Sequence, residues 1–221
     1  MPRIPLVVLL AALLTSLAVA AEADRDRSAD PGFEVLMDAG LVVPLGNLGA
    51  GLAHTATGLG VEQGYRAGLR CRYTTPAGVT LSPSFSFSEF GDHDGFNDLS
   101  GKTGGYGQKF KLQATVLRYG LDVGYLAPGE PGDWRALVAA GVGVLQNNYK
   151  EDLVDDEFTY DASTYSLGWM LSVGARRGPL ELAMEYHLSS FETDQFFLET
   201  IDGEYTWNHL VLRAGWMLPR F

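Results

Sequence analysis

Apolar and polar side chains alternate along most of this chain. In one clear segment the two faces are Tyr65, Ala67, Leu69, Cys71 and Tyr73 against Arg66, Gly68, Arg70 and Arg72. A period of two places successive side chains on opposite faces of an extended strand, so the pattern predicts β-structure. The alternation recurs in eight segments, which we predict as strands at 33–45, 64–73, 79–90, 110–126, 134–146, 163–176, 180–191 and 205–218.

The connections between these strands alternate between long and short. The long ones are 46–63, 91–109, 147–162 and 192–204, and the short ones are 74–78, 127–133 and 177–179. The short connections contain glycine and proline, which are typical of tight turns. Long loops at one end and short turns at the other are typical of up-and-down membrane barrels, whose turns face the periplasm.

The polar face of the strands separates a membrane barrel from a soluble one. A lipocalin-like barrel or a sandwich buries its apolar face, whereas here the opposite face carries so many charges that it fits a lumen. A cation facing the bilayer midplane would cost about 2–4 kcal/mol, and the apolar face carries almost none. The sequence therefore predicts an all-β fold, an eight-stranded antiparallel transmembrane up-and-down β-barrel with short periplasmic turns and long extracellular loops.

The inward face of this barrel predicts a lumen filled by ion pairs. Eight strands enclose a space just wide enough for side chains to fill, so interleaved charges would plug it. The predicted network consists of Glu34, Asp38, Arg66, Arg70, Arg72, Lys111, Arg118, Asp122, Arg135, Arg176, Glu181, Glu185 and Arg213.

Two irregularities interrupt the alternation. In the fourth strand the apolar phase slips between Val116 and Leu117, which predicts a β-bulge. In the third strand Pro83 lacks the amide donor of a ladder, which predicts a bulge or a local break.

The N-terminal residues predict a cleaved secretory signal. Arg3 precedes an apolar run from 4 to 14, and small residues at 18–20 form a cleavage site, so we expect a signal peptide at 1–20. Residues 21–32 are polar and predict a flexible lead-in, and 33–221 form the barrel. The net charge of −11 argues against nucleic acid as a partner.

The long loops hold most of the acidic residues. Residues 147–162 contain six Asp or Glu against one Lys, and residues 192–204 contain five and no cation. Such loops aid solubility, and they also offer oxygen ligands to Ca²⁺, which could bridge them to lipopolysaccharide phosphates. The candidate ligands are Asp152, Asp155, Asp156 and Glu157. No spacing typical of zinc, a nucleotide or another cofactor occurs, so no cofactor is expected.

One short segment resembles an enzyme site. His187 and Ser189 lie two residues apart on one strand, as a base and a nucleophile would. The segment resembles the His-x-Ser element of the lipid A deacylase family, in which Glu199 or Glu185 would orient the histidine. The alternative, which we favour, is that His187 belongs to the lumen network with Glu185, and the protein is then not an enzyme.

The whole predicted barrel resembles the small outer-membrane barrels of the OmpA transmembrane-domain, OmpX and OmpW kind. The resemblance implies an outer-membrane location, contact with lipid and lipopolysaccharide, and a monomer with a structural, adhesive or surface-interaction role. The terminal Phe221 resembles the end that the barrel-insertion machinery reads after periplasmic chaperones deliver the chain. An OmpW-like conduit for small hydrophobic solutes is the alternative.

Overall fold

The computed structural model describes residues 32–45, 62–98, 107–130, 132–153, 158–193, 203–206 and 208–218. The strands are β1 (Gly32–Leu45), β2 (Glu62–Thr74), β3 (Val79–Asp98), β4 (Gly107–Leu126), β5 (Arg135–Leu153), β6 (Phe158–Arg177), β7 (Leu180–Thr193), β8 (Gly203–Thr206) and β9 (Asn208–Met217). The described ranges contain no helix of the length and apolar character needed to cross a membrane. The expected signal peptide and nearly all of the lead-in, residues 1–31, lie outside these ranges.

The strands close into an antiparallel barrel. Consecutive strands from β1 to β8 pair with one another, and β1 pairs with β9 as well as with β2, which joins the two edges. Both β8 and β9 pair with β7, β8 at 190–193 and β9 at 180–187, so together they fill the eighth position. The predicted eight-stranded antiparallel barrel is confirmed.

The two faces of the barrel wall have opposite chemistry, and the apolar face is the outer one. On β6 the outward Leu167 is 61% exposed and Val173 51%, whereas on β2 the inward Arg66 and Arg70 are each 2% exposed. A soluble barrel would bury the large apolar residues and expose the charges. The wall therefore has the polarity of a barrel that faces lipid outside and a polar interior inside.

Short turns connect the strands at one end of the barrel. Gly78 follows β2 with φ of 82°, and Gly178 separates β6 from β7 with φ of 56°. These left-handed conformations are costly for residues with a Cβ and account for glycine at both turns. The Gly78 amide also donates to the Thr75 carbonyl at 2.9 Å, which ties the first turn together.

The strands extend further at the opposite end than the alternation predicts. β3 continues to Asp98 and β4 begins at Gly107, although 91–109 was predicted as one long loop. Likewise, β5 continues to Leu153 and β6 begins at Phe158, within the predicted loop 147–162. Hydrogen bonds between strands do not need an apolar face, so pairing continues where the lipid-facing pattern has ended.

The two predicted irregularities have different outcomes in the structure. β4 pairs with β5 without a register shift from Phe110 to Leu126, so the bulge expected at 116–117 is wrong. Instead Ala114 and Val116 face inward and are buried, because the lumen itself becomes apolar at that level. Pro83 keeps the β3–β4 register opposite Leu121, but on the other side the β2–β3 pairing is interrupted between Ser84 and Leu81 without a register shift, so the local break expected there is confirmed on the β2 side. The β3–β4 register shifts later, between Phe90 and His93.

Candidate functional site in the barrel lumen

Eleven of the thirteen residues predicted for the lumen network are buried inside the barrel. They come from six strands that surround the lumen, so they meet only after the barrel has closed. They are Glu34 and Asp38 on β1, Arg66, Arg70 and Arg72 on β2, Arg118 and Asp122 on β4, Arg176 on β6, Glu181 and Glu185 on β7, and Arg213 on β9.

Glu185 is the centre of this cluster. Its carboxylate is fully buried and accepts hydrogen bonds from Arg66, Arg70 and Arg213. The Arg213 bond, from Nε to Oε1, measures 2.6 Å, and His187 Nε2 lies 3.1 Å from Oε2. The bonds from β2 cross the interior to β7, whereas the bond from β9 joins neighbouring strands of the wall.

A second carboxylate, Glu181, lies on the same strand, nearer the periplasmic end. Arg72 donates to it through both terminal nitrogens, at 2.5 and 3.0 Å, which is the forked geometry that suits a carboxylate. Arg213 Nη2 donates to the same carboxylate at 2.7 Å. Because Arg213 also bonds to Glu185, it links the two carboxylates into one cluster.

Two aspartates extend the cluster to β1 and β4. Arg70 Nε donates to Asp38 at 3.3 Å and its Nη1 donates to Asp122 at 3.4 Å. Arg118 donates to Asp122 at 2.7 Å and to Ser84 Oγ at 2.8 Å. The cluster therefore reaches from β1 through β2 and β4 to β7 and β9, around most of the lumen.

The bonds of this cluster do not connect the remaining predicted members to Glu185. Arg176 donates to Glu34 through two bonds of 2.6 and 2.7 Å, which join β6 to β1. Arg135 begins β5 and is only partly buried. Lys111 belongs to β4, but its side chain lies outside the described part of the structure.

Glycines on the inner wall make room for the long arginines. A Cβ at Gly120 would overlap the Arg118 guanidinium, and one at Gly141 would overlap Asp122 Oδ1. Gly141 of β5 lies opposite Asp122 of β4 and leaves space for that side chain. Any side chain at these positions would displace the ion pairs.

An apolar layer and a pair of stacked histidines lie on the extracellular side of the ion pairs. The apolar layer consists of Val42, Phe90, Val116, Leu145, Met170 and Val211, each no more than 2% exposed. The imidazole rings of His187 and His209 are parallel, with centroids 4.6 Å apart, and Phe90 meets His209 edge-on at 5.6 Å. Sequence reasoning missed His209 and Phe90, although both occupy inward positions of their strands.

The residues of the possible hydrolase site are only partly described. His187 and Ser189 are buried and face the lumen, 2% and 6% exposed, and His187 Nε2 is directed at Glu185. Glu199 lies outside the described residues, as do Asp155, Asp156 and Glu157 of the calcium candidates. Asp152 lies in β5, but its side chain is not described. Among the described residues, no cluster of three or more potential metal ligands occurs.

The arrangement holds buried charges of both signs inside the barrel. Glu185 and Glu181 are 0% exposed, and the arginines that contact them are at most 4% exposed. Several atoms of the cluster nevertheless lack a hydrogen-bond partner in the described structure, among them Arg66 Nε and Nη2, Arg213 Nη1 and Asp38 Oδ1. The described part of the lumen is thus densely charged.

Comparisons with known proteins support the fold. No protein-family model matches the sequence, and no curated protein matches it either. Ail, the attachment invasion locus protein of Yersinia pestis, solved with the heparin analogue sucrose octasulfate, superposes with a TM-score of 0.50 and 10% identity. That match covers 84% of this chain and 99% of Ail.

Two further solved structures are similar. The Neisserial surface protein A (NspA) gives a TM-score of 0.43 and 14% identity over 84% of this chain and 96% of its own. A major outer membrane protein from Thermus thermophilus gives 0.46 and 14% over 85% and 100%. The expected resemblance to small outer-membrane β-barrels is confirmed at the level of the fold.

Proposed function

We propose that this outer-membrane β-barrel has a plugged lumen and acts as a surface-interaction protein through its extracellular end. The observation that carries the proposal is the ion cluster centred on Glu185, whose bonds from β2 to β7 cross the lumen between strands that are not paired in the wall. A solute crossing the barrel would have to separate these buried charges. The working surface is then the part of the chain that projects beyond the lipid.

The extracellular end of the barrel presents a projecting sheet. β3 and β4 remain paired out to Asp98 and Gly107, and β5 and β6 out to Leu153 and Phe158. By contrast, the described β2–β3 pairing ends at Gly91. Strands that continue past the membrane offer backbone and side chains to a partner, and an edge strand can pair with another chain.

The charge of the neighbouring loops indicates the chemistry of that partner. The segments 147–162 and 192–204 carry eleven acidic residues against one lysine. Ail was crystallised with a heparin analogue that carries sulfates, whereas acidic loops would repel such a ligand. We therefore assign to this chain a cationic partner, either a basic protein surface or divalent cations that bridge the loops to lipopolysaccharide phosphates.

Conductance across planar bilayers tests the plugged lumen. We expect the purified barrel to give no steady ion current, and Arg177→Gln, which removes an exposed charge at the periplasmic turn, to behave identically. The Glu185→Gln variant weakens the centre of the cluster and should give brief openings. A steady current through the unmodified barrel would overturn the proposed plug and favour a conduit.

The lipid A hydrolase alternative has its own test. His187 and Ser189 face the lumen rather than the lipid, which favours a structural role for both. Lipid A from cells expressing the barrel or its His187→Ala variant should therefore give identical mass spectra. Loss of an acyl chain only with the unmodified barrel would show that the protein is an enzyme.

A further inference from the structure

The lumen cluster contains more positive than negative charges. Consecutive ion pairs join five arginines to four carboxylates, namely Arg66, Arg70, Arg72, Arg118 and Arg213 with Asp38, Asp122, Glu181 and Glu185. Among the described side chains, this cluster therefore carries one excess positive charge. Arginine does not lose its proton in proteins, and protonating a carboxylate would only increase the excess.

The cluster also contains more hydrogen-bond donors than acceptors can satisfy. Both oxygens of Glu185 already accept from arginines, and His187 approaches one of them. Yet five arginine N–H groups have no partner in the described structure, against one carboxylate oxygen, Asp38 Oδ1: they are Arg66 Nε and Nη2, Arg72 Nε, Arg118 Nε and Arg213 Nη1. All four arginines are at most 4% exposed. A buried donor without an acceptor is destabilising, so such groups in folded proteins usually have a ligand or water beside them.

Arg66 and Arg213, two of the four cluster arginines with unpaired donors, are neighbours in the barrel wall. In the strand registers Arg66 and Arg213 both lie opposite Gly40, one on each side of it. Their guanidinium groups bind the two different oxygens of Glu185, which brings them together inside the lumen. Asp38 Oδ1 lies 3.9 Å from Arg66 Nη2, beyond hydrogen-bond distance, so it does not satisfy that donor.

We propose that the lumen cluster binds one small monovalent anion, of the size of a halide, through the unpaired N–H groups of Arg66 and Arg213. Such an anion neutralises the excess positive charge and accepts hydrogen bonds from these unpaired N–H groups. A single atom suits this part of the lumen better than a phosphate or sulfate, because every side chain of the cluster is under 10% exposed. The anion is then a structural part of the plug.

Crystals grown in bromide test the site directly. Bromide scatters anomalously and replaces chloride, so an anomalous peak in contact with Arg66 and Arg213 is the expected result. Ordinary water density at the same donors, with no anomalous signal in the lumen, would overturn the proposal. A bromide peak confined to the barrel surface would overturn it equally.

Thermal unfolding in micelles provides a second test that does not need crystals. Replacing chloride by gluconate at constant ionic strength should lower the unfolding midpoint of the unmodified barrel by about 2–4 °C, because a ligand of the folded state is removed. Arg66→Gln removes the excess charge and should abolish this dependence on chloride. Arg177→Gln removes an exposed charge at the periplasmic turn and should retain it.

The comparison of the two variants decides the outcome. Equal midpoints in chloride and gluconate for the unmodified barrel would show that no small anion stabilises the fold. If Arg66→Gln does not fold, the bromide crystals of the unmodified protein still decide the question. Neither experiment depends on the proposed surface interaction, so the two proposals can fail separately.

Discussion

At the scale of single residues, Glu185 has the largest share of the lumen contacts. Three arginines from β2 and β9 surround its carboxylate, and no part of the side chain reaches solvent. A buried ion pair adds little stability compared with apolar packing of the same shape. Removing one partner is nevertheless costly, because it leaves the other charges buried without compensation. The carboxylate is therefore needed because the arginines are there.

This dependence predicts the effect of Glu185→Gln. Neutralising the carboxylate leaves Arg66, Arg70 and Arg213 facing one another, so we expect a loss of about 3–5 kcal/mol in the free energy of unfolding. Urea unfolding of the barrel in lipid vesicles measures it. Glu130→Gln, at an exposed position of the periplasmic connection, is the matched control and should change the free energy by less than about 0.5 kcal/mol. Equal stability of the two variants would show that the cluster is solvated.

At the scale of the strands, contact with lipid determines which side chains form the outer face of the barrel wall. Met184 of β7 lies opposite Val173 of β6 and Leu212 of β9, and all three side chains are exposed. In water such a patch would be an aggregation site, whereas in a bilayer it is solvated by acyl chains. A charged substitution on this face should consequently destabilise the barrel more than a substitution that only makes the side chain smaller.

The Met184→Arg substitution tests the position of the lipid-facing band. We expect it to lower the free energy of unfolding of the barrel in vesicles by about 2–4 kcal/mol, as for an arginine at the midplane of a bilayer. The same change at exposed Gln63, near the extracellular end of β2, should cost about 0–1 kcal/mol. If both substitutions cost the same, the band has been placed at the wrong height.

The strands show which parts of the fold can be predicted from the sequence. Alternation predicted the barrel because lipid and lumen impose opposite chemistry on successive residues. It failed at Val116, whose apolar side chain faces inward, because an apolar residue inside the lumen has the same signature as one facing lipid. It also ended β5 too early, because beyond the lipid both faces are polar and only backbone pairing marks the strand. The partner of each arginine depends on which strands meet across the lumen, and no local pattern contains that information.

At the scale of the whole molecule, the lumen and the predicted extracellular loops carry charge of opposite sign. The described lumen cluster has a small positive excess, while the net charge of the whole chain is −11 and the loop segments at the extracellular end are acidic. The buried charges are compensated at close range and contribute little to the field outside. We expect the acidic segments to lie in water, where their field extends to approaching partners and is screened by salt.

This separation predicts how binding responds to ionic strength. A lysine homopeptide should associate with the barrel in nanodiscs about tenfold more slowly at 0.15 M salt than at 0.01 M salt, because the screening length falls from about 30 to about 8 Å. Surface plasmon resonance measures the association rate. Neutralising three loop acids together, by Asp155→Asn, Asp156→Asn and Glu157→Gln, should reduce both the rate at low salt and its dependence on salt. Glu130→Gln removes one acid at the periplasmic connection and should leave both unchanged. An identical salt dependence in the loop variant would show that the attraction comes from elsewhere on the molecule, and the proposed cationic partner would have to be abandoned.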